Sequence, residues 1–128
     1  DPKHGITLTS DALRPCRAGV ESNPRASVRA GEGLYVSWMG NGHVNNGQSD
    51  GTCVKFLLAP YASDPNFSSF SIIPGGDCVG YWYTNAQGFD KTDHTITIPA
   101  NTVPGKYTLL WYWDFTEFWY SSCADIDV

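Results

Sequence analysis

Turn-forming residues most constrain what this chain can become. Thirteen Gly and eight Pro, helped by Ser, Asn and Thr, break its 128 residues too often for long helices. Helical periodicity is poor throughout. Between the breaks lie short runs rich in β-branched and aromatic side chains, the pattern of an all-β sandwich. Strands are expected near 26–30, 34–38, 53–59, 70–73, 81–84, 94–98, 106–113 and 121–128.

The strand at 106–113 carries large side chains on both faces. Tyr107, Leu109, Trp111 and Trp113 lie on one, and Thr108, Leu110 and Tyr112 on the other. Such a strand belongs in the middle of a sheet, covered on both sides. The last segment alternates, with Ala124, Ile126 and Val128 expected inward and Asp125 and Asp127 outward. Pro104-Gly105 suits a tight turn, and Pro74-Gly75-Gly76 cannot continue a strand. From Gly40 to Gly51 almost nothing is apolar, and a loop of that length in a small domain usually has a function. With no repeat, linker or second core in view, residues 1–128 read as one domain.

Composition removes several function classes. A 41% hydrophobic and 14% aromatic chain is too apolar for disorder. No apolar run approaches the roughly 18 residues of a membrane span. The formal charge is −5, and eight Lys and Arg form no cluster, so neither nucleic acid nor an anionic membrane is an expected partner. A neutral glycan and a monomeric state fit better. Four cysteines at long, irregular spacings exclude a zinc ribbon or a dithiol motif. An even count in a small domain points to two disulfides and an oxidising, extracellular setting, with three pairings open. The opening Asp1, with no Met, suggests a start after a removed leader. Asn66-Phe67-Ser68 is a glycosylation sequon, which agrees with secretion from a eukaryotic host.

The chain has three histidines: His4, His43 in the Gly/Asn-rich loop, and His94 heading a strand. His94 reads as a surface residue. His4 and His43, joined by the phenol of Tyr120, form a donor set that suits copper in both oxidation states. Asp114 and Glu117 could be read as a glycosidase pair, but nothing else in the sequence supports that chemistry.

Four stretches carry a family resemblance. They are "HGITLTSDALRP", "RAGEGLYVSW", "NGHVNNGQSDGTCVKFLLAP", and the closing "TITIPANTVPGKYTLLWYWDF" with "FWYSSCADIDV". Together they resemble the lytic polysaccharide monooxygenases, secreted copper enzymes that cut cellulose, chitin and related glycans oxidatively. The third stretch is similar to the fungal pattern. The resemblance implies an immunoglobulin-like or fibronectin-III-like antiparallel β-sandwich of seven or eight strands. It implies the disulfides Cys53–Cys123 and Cys16–Cys78. It implies one copper ion, cycling between Cu(II) and Cu(I), on His4, His43 and axial Tyr120. Glu117, one residue off the family's offset, would stand beside the metal. An external electron donor would serve the reaction. An exposed aromatic surface for the polysaccharide would draw on Tyr61, Phe67, Tyr83 and Trp119.

One departure matters. In that family the first histidine is N-terminal, and its amine and ring both bind the metal as a histidine brace. Here His4 follows Lys3 through a peptide bond, and an amide nitrogen is no neutral donor. Enzymatic function therefore requires His4 to become the terminus. The alternative is a non-catalytic relative that binds glycan or copper.

Overall fold

The structure is a computed structural model. It describes residues 6–7, 14–16, 26–38, 53–79, 93–115 and 118–128, with backbone alone at 6, 7, 53, 114, 115, 118 and 119. The described residues are mostly β-sheet. The strands are β1 (Ile6–Thr7), β2 (Ala26–Ser27), β3 (Gly33–Ser37), β4 (Cys53–Pro60), β5 (Ser71–Ile72), β6 (Asp93–Thr97), β7 (Lys106–Phe115) and β8 (Phe118–Asp127). A short 3-10 turn at Phe67–Ser69 is capped by Asn66, whose Oδ1 accepts from the Ser68 N–H.

Five strands run β1-β8-β7-β4-β5 in one sheet, and β2 adds to β8 in parallel. Strands β3 and β6 form a second, antiparallel pair. The main apolar core lies between the two sheets. From the larger sheet it takes Val54, Phe56, Leu109, Trp111, Trp113, Tyr120 and Ile126, and from the smaller side Ile96 and Ile98. Leu34, Val36 and Trp38 of the smaller side pack against it. The period-2 rule explains the division, since side chains two apart share a face.

The larger sheet is covered on its other face too. Leu57, Ala59, Phe70 and Leu110 form a second cluster there, with Cys16, Phe67, Tyr112 and Cys123 packed on it. Strand β7 lies between β4 and β8, so the expectation of a central, two-faced strand holds. Residues 14–16 close this second face. Arg14 Nη1 donates to the Asp64 carbonyl at 2.6 Å, and Ser121 Oγ donates to the Pro15 carbonyl at 2.7 Å.

The expected disulfides are corrected here. Cys16 bonds Cys123, with Cα atoms 5.5 Å apart. Neither Cys53–Cys123 nor Cys16–Cys78 can then form. The register gives the reason. Cys123 lies opposite Leu110, which lies opposite Leu57, and Cys53 is four residues further along β4. Two strand spacings and four residues of rise put those backbones about 16 Å apart, far beyond disulfide reach.

A second correction concerns Ala124, which is exposed although Ile126 is buried. Beyond β8, strand β1 pairs with Trp119 and Phe118, and β2 with Ile126 and Asp127. Ala124 falls between these two stretches, where no described strand covers it. The strand expected at 81–84 lies outside the described residues.

Candidate metal centre

One row crosses four strands at one end of the larger sheet. Ile6 is opposite Trp119, Trp119 opposite Asp114, and Asp114 opposite Cys53. At about 4.8 Å per strand the row spans about 14 Å. In the sequence, His4 lies two residues before Ile6, Tyr120 directly follows Trp119, and His43 lies ten residues before Cys53. Trp38, five residues before His43 in the sequence, packs on Phe56 at 5.7 Å and on Trp111 at 6.1 Å between ring centroids.

Tyr120 is buried in the main core. Its ring stacks on Trp113, its cross-strand partner, at 5.2 Å and 26°. Such an aromatic pair orients the phenol more firmly than burial alone. His4, His43, Glu117 and Tyr83 lie outside the described residues, and Trp119 is described as backbone. His94, half-buried on β6 opposite Val36, is the described histidine. Among the described residues no three His, Cys, Asp or Glu side chains gather as a metal cluster. The fit to copper therefore rests on donor chemistry. Two imidazoles and a phenol oxygen suit an ion that changes between Cu(I) and Cu(II).

Two aromatic candidates for the glycan surface are described. Tyr61 is half-buried, and the Lys106 ammonium stands 5.7 Å from its ring centroid. Phe67 meets Tyr112 edge-on at 5.5 Å and packs on the second cluster. Each ring thus has a partner on one side.

Strand β1 was missed in the sequence, yet "ITLT" in the opening stretch alternates apolar with Thr, the signal of a half-buried strand. Tyr35 was missed as well. Its neighbours Leu34, Val36 and Trp38 pack on the core, so the alternation points Tyr35 outward.

The fold is similar to that of solved lytic polysaccharide monooxygenases. One similar solved structure is the cellulose-active enzyme CelS2 in complex with copper, at TM-score 0.52 and 13% identity, covering 81% of this chain and 53% of that one. Another is an AA10 lytic polysaccharide monooxygenase from Streptomyces lividans, at TM-score 0.52 and 16% identity, covering 82% of this chain and 59% of that one. The chain thus spans under two thirds of the length of either. No protein-family model and no curated protein matches it.

Proposed function

We propose that this chain is a secreted monooxygenase-like protein that cleaves a cellulose- or chitin-type polysaccharide oxidatively with one copper ion. The row Ile6–Trp119–Asp114–Cys53 supports this reading, because Ile6, Trp119 and Cys53 lie two, one and ten residues along the sequence from His4, Tyr120 and His43. Similarity to a copper-bound, cellulose-active enzyme supports the choice of metal and substrate class. The fungal-type pattern and the immunoglobulin-like strand order belong to the same reading.

His4 and His43 would hold the ion through imidazole nitrogen, with the Tyr120 phenol oxygen as a further donor. Copper, when bound, would supply the one-electron chemistry by which dioxygen, with electrons from a donor, or a peroxide hydroxylates a C–H bond beside a glycosidic link and leaves water. The freed amine of His4 completes the donor set, so the Lys3–His4 bond must be cut. Glu117 stands near the metal as a polar group that orients the oxidant. Tyr61, Phe67, Tyr83 and Trp119 present ring faces to sugar C–H groups. The reaction draws electrons from an external donor. The protein acts as a monomer, with no nucleic acid or membrane partner.

N-terminal sequencing of the secreted protein, Cu(II) electron paramagnetic resonance and a product assay test this together. A protein starting at His4 should show a multi-nitrogen copper signal and release oxidised oligosaccharides with a reductant. His4→Ala and His43→Ala should each lose both. Wild-type copper binding no tighter than that of His43→Ala would overturn the metal assignment. Polysaccharide binding without oxidised product would assign a non-catalytic relative.

A further inference from the structure

The smaller sheet turns one face to the core and the other to solvent. Its outer face is made by Gly33, Tyr35 and Ser37 of β3 with Asp93, Thr95 and Thr97 of β6, all exposed. Tyr35 is 64% exposed, a large cost in apolar surface left in water. Its ring is nonetheless held, because its hydroxyl donates to Asp93 Oδ2 at 3.1 Å. Beside it, a Cβ on Gly33 would come within 2.9 Å of Thr95 Cγ2. The Thr95 methyl therefore lies over the bare glycine.

The chemistry of the face selects its partner. Its six described residues include no Lys or Arg, so among them an anionic ligand finds no cation. Its one carboxylate already accepts a hydrogen bond, and three hydroxyls border a single aromatic ring. A lipid or apolar protein surface would leave those hydroxyls without partners. A neutral sugar satisfies both parts: its C–H face stacks on the ring, and its hydroxyls bond to Ser37, Thr95 and Thr97. Five residues of β3 span about 13 Å, room for a few linked sugar rings.

We propose that this face binds a neutral polysaccharide chain through Tyr35, independently of any metal. The test is partition of the full chain onto insoluble cellulose and chitin in EDTA, with size-exclusion chromatography alongside. Tyr35→Ala should weaken binding at least tenfold, and Tyr35→Phe, which keeps the ring, less than threefold. Thr97→Arg, which leaves the core untouched and adds bulk to the face, should weaken it as Tyr35→Ala does. Unchanged binding in both Tyr35→Ala and Thr97→Arg would overturn the proposal. So would binding that EDTA abolishes, or wild-type self-association that Tyr35→Ala abolishes, which would make the face a contact between copies. Copper binding by His43→Ala is read separately, so failure of the metal site and failure of this face remain distinct.

Discussion

Thr108 sits on β7 between Ala59 and Asp125, 2% exposed. Among the described residues its hydroxyl has no hydrogen-bond partner. Burying a hydroxyl without a partner costs about 1–3 kcal/mol. Thr108→Val keeps the branched shape and removes that cost, so urea unfolding should show a gain of about 1 kcal/mol. Tyr35 gives a second prediction at this scale. The hydrogen bond to the Asp93 carboxylate raises its phenol above the ordinary 10.0, with smaller contributions from burial and from the negative charge. The neutral phenol is the favoured form. Stability from this bond is therefore fully present below pH 10.0 and lost as pH rises through the raised value. An ultraviolet titration of wild type minus Tyr35→Phe should isolate one phenol ionising above pH 10.0.

Neighbouring elements hold each other by close backbone approach around β4. Phe56 N–H donates to the Gly76 carbonyl at 2.8 Å, and Val79 N–H to the Val54 carbonyl at 2.8 Å. Gly76 has no room for a side chain, since a Cβ there would meet the Ile73 carbonyl at 3.0 Å. Cys78 is disulfide-bonded, and its neighbour Val79 bonds the neighbour of Cys53. A Cys53–Cys78 bond is thus expected, and a non-reduced peptide map should recover it. Long strands were legible in the sequence: 106–113 and 53–59 each lie within an observed strand, because alternation and two-faced bulk are local signals. The cysteine pairing was not legible. It depends on which cysteine the paired strands bring against Cys123, and that is a property of register. For the same reason, Tyr120 was recognisable in sequence, while its stacking on Trp113 came only with the pairing of β7 and β8.

In the whole molecule, two sheets enclose one core and a second cluster lies behind the larger sheet. Cys16–Cys123 closes a loop with a sequence separation of 107. Loss of so long a cross-link should lower the unfolding free energy by about 4 kcal/mol. Paired Cys16→Ser and Cys123→Ser substitutions, followed by guanidinium denaturation, would measure it. His4, His43 and Tyr120 were named from residue type and family resemblance, and of the three the structure describes Tyr120. The row of Ile6, Trp119, Asp114 and Cys53 was not legible, since it joins four strands distant in sequence.

The same covalent link governs how the molecule answers a mechanical pull. Tension applied outside the two cysteines enters at Cys16 and leaves at Cys123, bypassing every strand from β2 to β7. Only chain outside the two cysteines can lengthen, and the molecule between them stays taut until a reductant cuts the bond.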